Sequence, residues 1–198
     1  NERQAGFVEK ILGGISQMTG LVDNIQDAGR WDPETGFYEM SREPSDLTAS
    51  VRDIVSNYQD VAKKQGITVT ASIAPNIPII NIDSLMVDRA LINLVKNALE
   101  AFREDTSGPV IAIDCSMDEV RWFVRVEDNG EGMSEEVLKN ATIPFFTTKP
   151  DGNGIGLSLV RQLVFTLNGG LNIRSAPGKG TTVELSFGLS RAGSDVNS

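Results

Sequence analysis

The sequence contains no histidine among its 198 residues. This absence excludes an imidazole-ligated metal site, a Ser-His-Asp triad and a histidine general base. The single cysteine, Cys115, excludes a disulfide framework and fits a reducing cytosol, and we interpret it as a small core residue. No apolar run approaches the ~18 residues that a membrane span requires, and no signal-peptide pattern is present. We therefore expect a cytoplasmic segment without membrane contact, or the cytoplasmic portion of a membrane-anchored protein.

Negative charge dominates what is present. The formal net charge is −9 and the isoelectric point is about 4.6. Such a surface argues against nonspecific binding to nucleic acid or to anionic membranes. It does not prevent nucleotide binding, because local backbone amides and one or two cations can hold a phosphate. The hydrophobic content of 40% suffices for one compact domain of roughly 150 residues with an appendage.

Residues 3–29 have apolar side chains at the spacing of a long amphipathic helix, close to a heptad pattern. Such a helix needs a partner, and a bundle or dimer helix is favoured over an ordinary core helix. We predict this helix within residues 1–30, a linker over 31–38, one domain over 39–189 and a disordered tail over 190–198.

The rest of the chain alternates helical and strand patterns. Helices are predicted over 47–64 with an Asp46 N-cap and a Gly66 stop, from Asp83 or Ser84 to about Phe102, and over 155–167, with a helical turn at 134–138. Strands are predicted over 39–44, 67–73, 110–117, 121–127, 171–175 and 181–189. Residues 139–153 indicate a mobile loop. Helices interleaved with mostly adjacent strands favour a two-layer α+β sandwich over a doubly wound parallel sheet.

The segment Asn93–Ala101 places two asparagines on one face of the second helix, four residues apart. A carboxamide oxygen is a suitable hard ligand for Mg²⁺, which takes its other ligands from phosphate and water. Asn93 and Asn97 equally suit the solvent side of an amphipathic helix, so this motif alone decides nothing.

The segment Glu127–Met133 follows a predicted strand. Asp128 can accept a hydrogen bond from an exocyclic amine, and Gly130 and Gly132 allow positive φ and close backbone approach to a ring. A plain Asp-Asn-Gly turn is the alternative, and for this segment alone it is favoured.

The segment Pro144–Lys149 places Phe145 and Phe146 in a polar loop, which indicates either a hinge that packs on closure or a loop anchored to the core. Lys149 is a candidate charge for a phosphate.

The segment Gly152–Leu157 is a glycine-rich loop that opens a helix. Backbone amides at such a helix start form an anion site. The segment is neither a dinucleotide fingerprint nor a Walker loop, since no long strand precedes it and no Gly-Lys-Ser/Thr follows it.

In order and spacing, these four segments resemble the asparagine, first glycine, phenylalanine and second glycine boxes of histidine-kinase catalytic domains. Gly178–Thr182 looks like the last glycine-threonine motif of that family. The resemblance covers about residues 40–189, and residues 3–29 resemble the second helix of the dimerisation and phosphotransfer hairpin. The residue sequences Pro-Phe-Phe-Thr-Thr-Lys and Asn-Ala-Leu-Glu-Ala are most similar to those of the subgroup that contains nitrogen-regulation sensor kinases.

The resemblance implies the Bergerat fold, with a mixed sheet covered by helices on one face, and Mg-ATP bound beneath a mobile lid at about 134–153. It implies that Asn97 holds Mg²⁺ with Asn93 assisting near the phosphates, and that Asp128 reads the adenine amine. Together with Asn93 and Asn97, Lys149 is a candidate catalytic residue. The residues expected to bind nucleotide are Asn93, Asn97, Asp128, Gly130, Gly132, Phe146, Gly152, Gly154, Ile155, Gly156, Leu157 and Thr182.

The phosphate-accepting histidine of the family is missing here, and we expect it on a helix upstream of Asn1. The resemblance further implies a homodimer formed through a four-helix bundle and a response-regulator receiver domain as partner. Asn168-Gly169-Gly170 stands where many relatives have His-Gly-Gly, and we expect little effect from this difference.

Three alternatives remain: an ATP-hydrolysing clamp, a serine/threonine kinase of the same fold, and a noncatalytic nucleotide-binding scaffold. Clamp ATPases place a glutamate base where this chain has Asn93, so we expect slow hydrolysis. The long first helix argues against the serine kinase, and the intact glycine loops argue against the scaffold.

Overall fold

The computed structural model describes residues 40–149 and 152–189. The predicted helix 3–29, the linker 31–38 and the tail 190–198 lie outside the described residues. Along the chain the elements are β1 (Glu43–Ser45), α1 (Leu47–Lys64), β2 (Thr68–Ile73), β3 (Ile80–Ile82), α2 (Ser84–Leu99), β4 (Val110–Met117), β5 (Arg121–Asp128), α3 (Glu135–Asn140), α4 (Gly156–Thr166), β6 (Gly170–Ser175) and β7 (Thr181–Gly188).

Helix α1 begins and ends where the sequence predicts. The Asp46 carboxylate accepts the backbone N–H groups of Thr48 and Ala49 at 2.9 and 3.2 Å, which satisfies two donors that the first turn leaves unpaired. At the other end Gly66 adopts a φ of 72°, a left-handed conformation that costs glycine little and stops the helix.

Helix α2 is capped by Asp83, which accepts the Met86 N–H group at 3.2 Å. It ends at Leu99, earlier than the predicted end near Phe102. Past this end the Ala101 N–H group donates to the Ala98 carbonyl at 3.1 Å in a tighter turn, and the Ala101 carbonyl accepts the N–H group of Glu131 at 2.9 Å. The C-terminal end of α2 is thereby fixed beside the segment that follows β5.

Five strands form one mixed sheet in the order β2-β4-β5-β7-β6. Strand β2 runs parallel to β4, and the other neighbours are antiparallel. The register aligns Ile113, Val126 and Val183 in one cross-strand row. Because side chains alternate between the two faces of a sheet, this row and its even-spaced neighbours share one face.

Helices α1, α2 and α4 pack on that face in a single core, where Trp122 and Phe187 stack with ring centroids 5.9 Å apart. The opposite face is polar, and Arg125 pairs there with Glu184 at 3.2 Å. The predicted two-layer α+β sandwich with helices on one face of a mixed sheet is confirmed.

A second, two-stranded sheet joins β1 and β3 in antiparallel pairing, and the sequence did not predict β3. The strand predicted over 39–44 is found at Glu43–Ser45. The Ser41 N–H group donates to Asp83 at 3.1 Å rather than to a strand, so the ladder starts later.

No helix within residues 40–149 and 152–189 has the length and apolarity needed to cross a membrane.

Candidate functional site

A cavity of about 460 Å³ lies between α2, α3, α4 and the adjoining ends of β5 and β7. Asp128 ends β5 beside Thr181 at the start of β7, and both side chains face the cavity. The site residues predicted from sequence that line it are Asn97, Asp128, Gly132, Phe146, Lys149, Gly152, Gly154, Gly156 and Leu157. The structure thus gathers most members of four separate motifs around one space.

Asp128 is the buried acid of this cavity, with 7% of its surface exposed. Its Oδ1 atom accepts the N–H groups of Gly130 at 2.9 Å and Thr181 at 3.2 Å. Burial raises the pKa of this carboxyl above its ordinary value, while those two hydrogen bonds and the charge of Lys149 oppose the rise. Both backbone donors use Oδ1, so Oδ2 is left to accept a donor from a molecule in the cavity.

The glycines around Asp128 permit close packing of backbone. Gly132 has a φ of 65°, and a side chain there would overlap the carbonyl oxygen of Ala176. Gly180 has a φ of 74°, and its side chain would overlap the Asp128 carbonyl oxygen. No other residue fits either position without moving the turn.

Gly130 does not line the cavity, contrary to the expectation that it shapes a base pocket. A Cβ atom at this position would lie 2.5 Å from the Ala101 carbonyl oxygen. Its N–H group still orients Asp128. Gly130 therefore acts by letting the turn pack against the end of α2.

Asn97 lines the cavity against the start of α4. A Cβ atom on Gly156 would lie 3.0 Å from the Asn97 Oδ1 atom, so glycine leaves room for this amide. Helix α4 has no side-chain N-cap, and its first-turn amides face the same end of the cavity. Ile155 is buried beneath this turn rather than exposed to the cavity.

Asn93 lies one turn before Asn97 and does not line the cavity. Its Nδ2 atom donates to the Arg89 carbonyl oxygen at 2.8 Å within α2. The structure therefore separates the two predicted asparagines, and only Asn97 contacts the cavity.

Phe146 and Lys149 line the cavity from the segment that follows α3. Phe145 has a φ of 67°, and its N–H group donates to the Gly154 carbonyl oxygen at 2.9 Å. Lys149 Nζ forms an ion pair with Glu100 Oε2 at 2.8 Å. This ion pair brings the segment against the end of α2.

Thr182 does not line the cavity, but its neighbour Thr181 does. Thr182 pairs with Glu127, whereas Thr181 pairs with Asp128 and lines the cavity. Because a strand alternates its side chains, Thr182 belongs to the polar face of the sheet.

Sequence reasoning also missed the apolar wall of the cavity. Its residues are Leu94, Ala98, Val126, Met133, Val137, Ala141 and Val183. The apolar stripe of α2 and the alternation of β5 and β7 indicate buried positions, but they do not show which of these side chains border a cavity.

The cavity thus has the features of a nucleotide site: a buried acceptor, an apolar wall, an open helix start, an amide and a cation all line it. Residues 82–191 match the family described as histidine kinase-, DNA gyrase B- and HSP90-like ATPases. The matched region covers more than half of the chain, and the chain belongs to this family.

Relatives with similar sequences are sensor proteins. The sensor protein DegM of Bacillus sp. strain B21-2 is 34% identical over 96% of this chain and 48% of its own length. The sensor histidine kinase ZraS of Klebsiella oxytoca is 35% identical over 89% of this chain and 43% of its own. This chain therefore spans less than half the length of each relative. It is an ATP-binding catalytic module of the histidine-kinase type.

The structure of full-length ShkA in complex with AMPPNP matches with a TM-score of 0.71 and 21% identity. The match covers 87% of this chain and 37% of that one. At this identity it supports the Bergerat fold and nothing finer.

Proposed function

We propose that this chain binds Mg-ATP and transfers the γ-phosphoryl group to a histidine on an upstream helix that it does not contain. The phosphoryl group would then pass to an aspartate of a response regulator. One observation carries the proposal: a single cavity joins the buried Asp128 to Asn97, Lys149 and the uncapped start of α4.

At the base end, Asp128 Oδ2 accepts the exocyclic amine of adenine while Oδ1 stays bonded to Gly130 and Thr181. Val126, Met133 and Val183 supply apolar surface for the ring. Two fixed backbone donors hold the carboxylate before the nucleotide arrives, which lowers the ordering cost of binding.

At the phosphate end, the first-turn amides of α4 bind phosphate oxygens, and Lys149 adds a positive charge. Within the part of the chain that the structure describes, no group of three or more His, Cys, Asp or Glu side chains can hold a metal ion. A single amide oxygen from Asn97 nevertheless fits Mg²⁺, which takes phosphate and water as its other ligands. Bound there, Mg²⁺ supplies charge neutralisation for phosphoryl transfer.

Transfer to a protein side chain is favoured over ATP hydrolysis by the position of Asn93. A clamp ATPase would carry its glutamate base there, whereas Asn93 bonds to the Arg89 carbonyl and lies off the cavity. Water thus has no base at this position, and turnover without an acceptor should be slow.

The remaining assignments concern the longer protein. Residues 1–30 would form the second helix of a dimerisation hairpin, 31–38 a linker and 39–189 the catalytic domain, ahead of the tail 190–198. The protein would be a cytoplasmic homodimer formed through a four-helix bundle. The residue sequence Pro-Phe-Phe-Thr-Thr-Lys supports membership of the nitrogen-regulation-like subgroup.

The test uses γ-labelled ATP and a version of the chain extended upstream through a histidine-bearing helix, mixed with this chain. We expect acid-labile, base-stable label on the extended version. The matched control carries Asp128→Asn in both versions, which should reduce nucleotide affinity by about 10–100-fold through loss of a charged acceptor, and urea unfolding checks that the variant is folded. Acid-stable label would indicate a serine or threonine acceptor, and unchanged affinity in Asp128→Asn would refute the site.

A further inference from the structure

The ion pair between Glu100 and Lys149 lies on the wall of the cavity itself. Both residues line it, and their Oε2 and Nζ atoms are 2.8 Å apart. The described lining residues include three acids, Glu100, Asp128 and Glu131, against the single cation Lys149. The cavity is therefore net negative, although its proposed ligand is an anion.

The loop that carries Lys149 is held together by its own hydrogen bonds. The Lys149 N–H group donates to Thr147 Oγ1 at 3.1 Å, and the Lys149 carbonyl accepts the Gly152 N–H group at 3.2 Å. The Phe145 N–H group donates to the Gly154 carbonyl at 2.9 Å. Among the described residues, the ion pair with Glu100 is the polar bond that ties this unit to α2.

We propose that Glu100 competes with nucleotide phosphates for Lys149 and thereby lowers the affinity of the site. Lys149 is bonded to Glu100 before the nucleotide binds and exchanges that carboxylate for a phosphate oxygen afterwards. The proposal rests on the proposed function, because it assigns the competing anion to the same nucleotide.

The exposure of the pair makes this exchange inexpensive. The side chains of Lys149 and Glu100 are 33% and 59% exposed, and an ion pair so exposed contributes little to stability. A polyphosphate carries more charge than one carboxylate and is also bound by the α4 amides. It therefore attracts the Lys149 ammonium group more strongly than Glu100 does.

The direct consequence is that Glu100→Gln tightens nucleotide binding. It removes the competitor and one negative charge, and we expect the dissociation constant for Mg-ADP to fall by about 3–10-fold. Since Glu100 lies at the exposed end of α2, urea unfolding should change little. A purely structural role for Glu100 would instead leave the affinity unchanged or weaken it.

Glu131→Gln is the matched control, because Glu131 lines the same cavity without an ion pair to Lys149. Both substitutions are repeated with Lys149→Met and measured by isothermal titration with Mg-ADP. The gain from Glu100→Gln should vanish without Lys149, whereas any small gain from Glu131→Gln should persist.

Each outcome is decisive. Tighter binding that depends on Lys149 supports the competition. If Glu100→Gln and Glu131→Gln tighten Mg-ADP binding equally, with or without Lys149→Met, the effect is one of general charge and the competition is refuted. An unchanged or weaker affinity in Glu100→Gln refutes it as well. Absence of Mg-ADP binding in the unmodified chain would overturn the proposed function and this inference together, so the two failures are distinguishable.

Discussion

The two ends of the cavity are built by different means. At the base end, the side chains are fixed by hydrogen bonds to backbone groups. Asp128 accepts two N–H groups, and the Ser175 hydroxyl accepts from Met133 N at 2.8 Å and donates to Gly180 O at 2.9 Å. At the phosphate end, the ion pair between the Lys149 and Glu100 side chains ties the loop to α2. The base end is therefore set by the fold, whereas the phosphate end can rearrange at little cost.

This difference suits what each end has to bind. An adenine ring is rigid, so an acceptor fixed in advance lowers the cost of binding it. Phosphates must be bound, positioned and, after transfer, released, which favours contacts that exchange readily. Substitutions that affect folding should accordingly cluster at the base end, and those that affect affinity alone at the phosphate end.

The largest effect is expected at Gly180. A side chain there overlaps the Asp128 carbonyl oxygen and sits at a φ of 74°, so Gly180→Ala combines a clash with an unfavourable backbone conformation. We expect the free energy of unfolding to fall by about 3 kcal/mol, measured by urea denaturation.

Gly178 supplies the control in the same turn. Its φ of 69° is similar, but a Cβ atom there meets nothing within 4 Å. Gly178→Ala should lower the unfolding free energy by only about 1 kcal/mol. Equal losses at the two positions would show that the base end is not packed as described.

The second prediction concerns pH, because the pKa of Asp128 is raised above its ordinary value of 3.8 by burial. Adenine binding needs the ionised carboxylate, so affinity should fall by about tenfold per pH unit below the raised pKa. The fold responds in the opposite sense. A raised pKa favours the folded state below the unfolded value, and this contribution is lost as the pH rises through the folded pKa.

Two variants separate this carboxyl from other titrations. Asp128→Asn should remove that part of the pH profile of Mg-ADP binding, leaving only the titration of the nucleotide. Asp88 also has a pKa raised by burial, but it does not line the cavity, so Asp88→Asn should leave the profile unchanged. A profile that is the same in Asp128→Asn and the unmodified chain would contradict the assignment.

Local signals explain which helices and strands could be predicted from the sequence. Asp46 and Asp83 cap helices by contacts within three residues, and β5 alternates clearly. Strand β3 is only Ile80–Ile82, too short to show a period, and its partner lies far along the chain. Its detection required the fold.

The features of the site that the sequence analysis did not predict depend on strand register and on contacts between residues far apart in the chain. Val183, Leu185 and Phe187 alternate, which already places Thr181 rather than Thr182 on the cavity side. No such signal exists for Gly130, where glycine is required because a Cβ atom would overlap the carbonyl oxygen of Ala101. Nor does any exist for the pair of Glu100 and Lys149, which are 49 residues apart.

The smallest effects come from deleting one hydroxyl at each end. Ser175→Ala removes a part-buried group that accepts from Met133 and donates to Gly180, so we expect a loss of about 1–2 kcal/mol in unfolding free energy. Thr147→Val removes an exposed hydroxyl of similar role in the loop, where the expected change is within about 0.5 kcal/mol. Both are measured by urea denaturation, with Mg-ADP affinity as the second readout. If Thr147→Val destabilised the fold as much as Ser175→Ala, the phosphate end would be part of the cooperative fold, and its bond to Glu100 could not exchange at little cost.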